Sequence, residues 1–507
     1  MKIIANVLSL LLSVSVCFFS KAQTTANKAY LEAYRPQIHF SPKEHWTNDP
    51  NGMVYFNHTY HLFFQYYPDD IIWGPMHWGH AISKDLVHWK ELPIALYPDS
   101  LGYIFSGSAV VDSNNTSGLG KGGKIPLVAI FTHHDPKGEK AGRNDFQNES
   151  IAYSLDEGKT WIKYAGNPVL KNPGIRDFRD PKVMWYAKDK KWVMTLATLD
   201  HITFYSSPNL KDWKKESEFG KEMGAHGGVW ECPDLFPLKL NGETYWVLIV
   251  NLNPGGPNGG SATQYFVGEF DGNKFTPIDN NLRWVDYGPD EYAGITWSNT
   301  GSRRIFLGWM SNWQYANQVP TEKWRNAMTI PRELALKQIN GEMLLASEPV
   351  KELTGIELKP VVNVSFFSLK RNSVLLSQTL PVQYTVKFRI DKVVNYSIVL
   401  SNDAGKKLVL GYDKASNRYY IDRTKSGRVD FNPEFAKTFF APRLSTSGSS
   451  DLKLIVDASS IELFADNGLS VMTCVFFPQK PFNHLQFQNS KNLTIRNLKL
   501  SPLKSIW

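Results

Sequence analysis

Three short segments place a carboxylic acid at or just before a proline: Asp49-Pro50, Asp180-Pro181 and Glu231-Cys232-Pro233. A carboxyl group can serve as acid, base or nucleophile, so three of them in one place would be a reactive set. Like charges disfavour one another's ionised forms, and gathering three carboxylates in a pocket is costly if structure alone is at stake. Asp before Pro is also an ordinary turn residue, so each pair taken singly reads equally well as a turn. The two readings separate on whether the surrounding elements bring the three together.

Each pair opens the same kind of unit: a strand of alternating apolar residues, a polar turn, and a second aromatic-rich strand. The first copy runs through Met53-Val54-Tyr55-Phe56, turns at Asn57-His58-Thr59 and returns along Tyr60 to Phe64. The second pairs Val183 to Tyr186 with Trp192-Val193-Met194, and the third pairs Leu235-Phe236 with Tyr245 to Leu248. Weaker copies at Ser106 to Phe131 and Glu291 to Trp313 bring the number of units to five. A second element recurs as Ser83 to Trp89, Ser154 to Trp161 and Ser207 to Trp213. Repeated four-stranded units predict an all-β chain with a five-bladed β-propeller, in which each innermost strand lines a central axis. An irregular sandwich is the competing arrangement. If Asp49, Asp180 and Glu231 occupy equivalent positions on successive innermost strands, they converge at one mouth of that axis.

Past Arg332 the pattern changes to short alternating strands, such as Tyr384 to Ile390 and Leu452 to Asp457, with turns such as Asp466-Asn467-Gly468. This predicts a C-terminal β-sandwich. The expected divisions are a propeller at 36–345, a linker at 346–357 and a sandwich at 358–507.

At 507 residues the chain is about three times a ~150-residue domain, which fits two or more cores. Trp 16, Tyr 22 and Phe 29 make 13% of it aromatic, a load suited to strands and ring-stacking surfaces. The net charge of +8 is dispersed, with no basic block of the kind a nucleic-acid arm carries, so no nucleic acid partner is expected. Residues 1–22 read as a signal peptide: Lys2, an apolar run from Ile3 to Phe19, and Ser20-Lys21-Ala22 before Gln23. The run is barely long enough to span a bilayer, so export with cleavage near Ala22 is expected and no membrane span. Cys17 leaves with it; a lipoprotein site there would have Val16, a poor small residue, before it. Cys232 and Cys474 lack metal-site spacing, and a bridge between them stays open.

The blocks Trp46-Thr47-Asn48-Asp49-Pro50-Asn51-Gly52, Phe105-Ser106-Gly107-Ser108, Arg179-Asp180-Pro181 and Glu231-Cys232-Pro233 resemble, in order, the signatures of glycoside hydrolase family 32, the β-fructosidases. The resemblance continues through Trp309 to Ala316, Trp324-Arg325 and Asp457 to Phe464, nearly the whole mature chain. It implies a five-bladed propeller followed by a sandwich, and retaining hydrolysis of β-D-fructofuranosyl bonds in levan, inulin or sucrose. Retaining enzymes hold two carboxyl groups ~5–5.5 Å apart so that one attacks the anomeric carbon directly. By resemblance Asp49 is the nucleophile, Glu231 the acid/base and Asp180 the transition-state stabiliser, kept ionised by Arg179 beside it. Sugar-binding residues carry over to Trp46, Asn48, Gln65, Trp73, Phe105, Ser106, Arg179 and Trp313. Thr47, where the family often has Met, is a departure expected to be minor.

The block from Trp309 to Ala316 looks most like exo-acting members, so terminal fructose release is expected. Endo-acting cleavage, fructosyl transfer and non-catalytic fructan binding are the alternatives. Gly118 to Lys124 has phosphate-loop spacing, but Ile125 stands where Ser or Thr would hold magnesium, so a hairpin loop is expected. His77, His80, His133 and His134 read as hydrogen-bonding or core histidines. No metal, cofactor or obligate protein partner is expected.

Overall fold

The computed structural model describes residues 30–370, 373–377, 379–489 and 492–507. The expected signal peptide and Cys17 lie outside the described residues. Among the described residues no helix is long and apolar enough to cross a membrane.

Five antiparallel sheets form the N-terminal part, each a blade whose strands follow chain order. The innermost strands are His45–Phe56, Tyr103–Val111, Phe178–Tyr186, Val229–Leu240 and Tyr292–Thr296. Each packs against the next and the fifth returns to the first, closing a ring. Closure is tied by backbone: Ser298 N–H donates to Met53 O (2.9 Å) and Tyr55 N–H to Ser298 O (2.9 Å). Trp324–Arg325 adds a parallel strand to blade 1.

The Ser-to-Trp segments link the third and fourth strands of blades 1 to 3. Asp85 Oδ1 accepts the N–H groups of Val87 and His88, Asp156 Oδ1 that of Thr160, and Asn209 Oδ1 those of Lys211 and Asp212. A short polar side chain thus substitutes for strand pairing at a tight corner. Residues 112–126, which contain the glycine-rich stretch, form the loop between the first two strands of blade 2.

Strand Glu342–Pro349 pairs with Arg332–Ile339 and completes blade 5, so that sheet runs past residue 345 into the expected linker. A 3-10 turn, Lys351–Ile356, leads to two six-stranded antiparallel sheets packed as a sandwich. Cys232 and Cys474 are both free and buried, one in blade 4 and the other in the sandwich, so no bridge joins them.

Candidate active site

All five innermost strands carry the same irregularity at the same level. Against their neighbours, three residues advance where two do on the partner: between Thr47 and Pro50, Ile104 and Gly107, Arg179 and Lys182, Glu231 and Asp234, and Tyr292 and Ile295. Each is a β-bulge, which bends a strand and re-aims its side chains. Asp180 (φ 66°), Cys232 (φ 42°) and Ala293 (φ 54°) take left-handed backbone there. Such conformations are strained for residues with a Cβ, and strain of this kind collects at functional sites.

The bulges bring Asp49, Asp180 and Glu231 to one cavity of about 260 Å³. They do not sit at equivalent positions, as the repeat suggested. Asp49 is the second of the two unpaired residues of its bulge, Asp180 the first of its two, and Glu231 the residue before its two. The different offsets let three carboxyls face one point from different directions.

Asp49 accepts hydrogen bonds from Ser106 Oγ (2.7 Å, to Oδ2) and Asn48 Nδ2 (2.9 Å, to Oδ1). The Cys232 thiol lies 3.4 Å from Asp49 Oδ2 and 3.6 Å from Asp180 Oδ2. Burial and the Glu231 charge push the Asp49 carboxyl above the ordinary carboxylate range, while these donors pull it back. Burial pushes Asp180 up to about 7, with Arg179 opposing and Glu231 and Asp49 adding to the rise. The Cys232 N–H donates to Asp180 Oδ2 (3.0 Å). The cluster is a proton-sharing set in which one group's charge suppresses the next.

The charge of Arg179 favours the ionised form of Asp180, as the sequence suggested, but its hydrogen bonds go elsewhere. Its Nε and Nη2 donate to Glu231 Oε1 (3.2 and 3.0 Å) and its Nη1 to Asp177 Oδ1 (2.6 Å). Tyr292 OH donates to the other oxygen, Glu231 Oε2. Glu231 is therefore held from both sides, which fixes the orientation of its carboxyl group.

Asn48, Gln65, Trp73, Phe105, Ser106, Arg179 and Trp313 line the cavity. Trp46 does not: it is fully buried, donates from Nε1 to Asn48 Oδ1 (2.8 Å), and backs Trp313 at 5.9 Å between ring centroids. It steers Asn48, which in turn holds Asp49. Trp73 stands at the rim, 39% exposed, its backbone N–H bonded to Asn317 Oδ1.

The chain matches the model of the glycosyl hydrolases family 32 N-terminal domain over residues 39–349, and that of the family 32 C-terminal domain over 355–502. It is 46% identical to a levanase of Bacillus subtilis, covering 96% of this chain and 73% of that one. It is 42% identical to an extracellular exo-inulinase of Aspergillus niger, over 96% and 97% of the two chains. The solved exo-inulinase of Aspergillus awamori superposes with a TM-score of 0.88 at 40% identity, covering 94% of this chain and all of that one (100%). A β-fructofuranosidase of Schwanniomyces occidentalis complexed with fructosyl-erythritol gives 0.78 at 33% identity, over 93% and 98%.

The chain belongs to glycosyl hydrolase family 32.

Several residues of this family 32 site carry no motif: Glu139, Phe146, Gln147 and Asp177 were not singled out in the sequence, and His134 was read only as a hydrogen-bonding or core histidine. His134, Glu139, Phe146, Gln147 and Asp177 complete the cavity wall. His134 stacks on Phe105 (4.2 Å, 9° between planes) and bonds Glu139 through Nε2 (3.0 Å). His80 meets His61 (3.1 Å) and His133 meets Ser150 (2.7 Å), as hydrogen-bonding core histidines. His77 Nδ1 bonds Pro75 O (2.9 Å). The signal for His134 was its neighbour in space, Phe105, which lies in a different strand and could not be read from spacing.

Proposed function

We propose that this glycoside hydrolase removes terminal fructosyl units from β-D-fructofuranosyl fructans such as levan and inulin, and from sucrose. The observation that carries the reading is the convergence of three carboxyls in one small cavity, with Glu231 gripped by Arg179 and Tyr292 and Asp49 gripped by Ser106 and Asn48. The cavity, about 260 Å³, is of the order of a small-molecule site, and the exo-inulinases among the relatives support action at a chain end.

In this reading an Asp49 oxygen attacks the anomeric carbon as Glu231 hands its proton to the leaving oxygen. Water then gives a proton to Glu231 and displaces Asp49 from the same face. Asp180 binds ring hydroxyls and balances the positive charge that develops on the sugar. Two inversions leave the first fructose in the β configuration. Time-resolved NMR with enzyme in excess tests this: an initial α anomer would reassign Asp49 to general base. Product profiles on levan, inulin and sucrose test the rest. Fructose is expected as the sole early product from levan and inulin, and fructose with an equal amount of glucose from sucrose. An early ladder of fructo-oligosaccharides would mean internal cleavage, and elongated oligomers would mean fructosyl transfer.

We also propose that the protein is exported with loss of residues 1–22. The extracellular exo-inulinases among its relatives support this, and N-terminal sequencing of the mature protein tests it.

A further inference from the structure

Behind Asp180 lies a fourth carboxyl group that takes no part in the mechanism above. Glu149 is fully buried on the third strand of blade 2, directly opposite Thr132 on the second. The Thr132 hydroxyl donates to Glu149 Oε2 (2.8 Å) and accepts the backbone N–H of Asp180 (3.0 Å). Glu149 Oε1 is buried without a hydrogen-bond partner, and among the described residues no Lys, Arg or His forms an ion pair with this side chain. A charge in that place would be uncompensated, so the group is held in its neutral form. Burial, with Asp180 adding to it, moves its titration well above the ordinary range.

The need for this arrangement comes from the bulge. Pairing with the next strand of blade 3 runs from Arg179 opposite Ala197 to Lys182 opposite Thr195, skipping Asp180 and Pro181. Asp180 thus has no strand partner for its N–H while its backbone stays at φ 66°. A buried, unpaired N–H is expensive, and a hydroxyl is a poor anchor unless its own proton has a fixed destination.

We propose that Glu149 and Thr132 are positioning residues: the neutral Glu149 carboxyl orients the Thr132 hydroxyl, whose lone pair then holds Asp180 in its left-handed bulge with its carboxyl aimed into the cavity. The proposal rests on Asp180 acting on the sugar. Four variants test it on purified full-length protein: Thr132→Val, Thr132→Ser, Glu149→Leu and Glu149→Gln. Thr132→Val and Glu149→Leu are expected to lower kcat/KM by about 10- to 100-fold, the range that an unsatisfied buried N–H costs. Because Asp180 stabilises charge on the ring rather than protonating the leaving group, the loss is the same on inulin and on β-fructosyl fluoride. Thr132→Ser and Glu149→Gln keep the hydrogen bonds and restore most of the activity.

Three results would overturn the proposal. One is Glu149→Gln as impaired as Glu149→Leu, which would mean that an ionised carboxylate is required. Another is kcat/KM within threefold of the parent in both apolar variants. The third is a loss on inulin that vanishes on the fluoride, which would place the effect on Glu231. Melting curves identify any apolar variant that fails to fold, and Glu149→Gln, nearly isosteric and neutral, then decides the matter. If Asp180→Asn itself left turnover intact, the reading of Asp180 would fail instead, whatever these four variants did.

Discussion

In its proposed role of nucleophile Asp49 has no ready substitute: Asp180 Oδ2 is held by Cys232 N–H, Glu231 by Arg179 and Tyr292, Asp177 by Arg179 and Glu139 by His134. Asp49→Ala is expected to fold as the parent does and lose at least about 10³ in kcat. Activity within tenfold of the parent would remove Asp49 from the role. Glu231→Gln should be comparably impaired on inulin but far less so on β-fructosyl fluoride, whose leaving group needs little protonation. Equal loss on both would make Glu231 structural. Asp180 gives a prediction of opposite sign for stability. Its carboxyl is raised from 3.8 to about 7 by burial, so the folded state keeps a proton that the unfolded state releases. Stability therefore falls as pH rises from about 4 to 7, and stays reduced above that. Asp180→Asn carries no such penalty. Its Tm should match the parent's near pH 4 and exceed it at pH 8, where the penalty removed is on the order of a few kcal/mol. Parallel Tm curves across this range would show that Asp180 is not strained by its charge.

At the scale of the element, the bulges do the positioning, and they are sensitive to atoms far smaller than a loop. Gly107 follows the blade 2 bulge, and a Cβ there would lie 2.0 Å from Ile130 O and 2.7 Å from Phe131 Cα. Backbone cannot yield as a side-chain tip can, so Gly107→Ala must push the first two strands of blade 2 apart. Ser106 would leave Asp49. The expectation is a loss of about tenfold or more in kcat/KM together with a lower Tm. Unchanged kinetics would mean that the bulge tolerates movement without effect on Asp49. The repeat was legible in the sequence because three of the five units pair a turn-prone acid with alternating apolar residues. The convergence of the three carboxyls followed from it. The offsets around each bulge were not legible, since a one-residue difference in register leaves composition and periodicity untouched. Tyr292, Thr132 and Glu149 stayed hidden for a related reason. Each acts through a neighbouring blade or strand, on a partner far away in sequence, and none belongs to a local motif.

At the scale of the molecule, the sandwich is locked onto the propeller by buried charge. His39 of the propeller bonds Asp457 (2.8 Å) and Glu462 (2.9 Å) of the sandwich, and Arg332 joins Glu462 Oε2 (2.5 Å) to Asp286 Oδ2 (2.9 Å), all with fully buried side chains. Arg423 of the sandwich grips Asp290 (2.6 Å), two residues before the Tyr292 that holds Glu231. The interface thus reaches the back of the active site. Burial works against a charged His39, but its bonds to Asp457 and Glu462 outweigh it and push the imidazole up to about 9, from 6.5. A group raised on folding stabilises fully below its unfolded value and loses that contribution as pH rises through its folded one. The parent should therefore lose stability between about pH 6.5 and 9, on the order of 3 kcal/mol, beyond the window in which Asp180 titrates. His39→Gln has no such slope. It is expected to melt well below the parent at pH 6 and to close most of that gap by pH 9, as followed by calorimetry on the full chain. A gap that stays constant across this range would show that His39 is neutral in the interface, and that Arg332 alone balances Glu462.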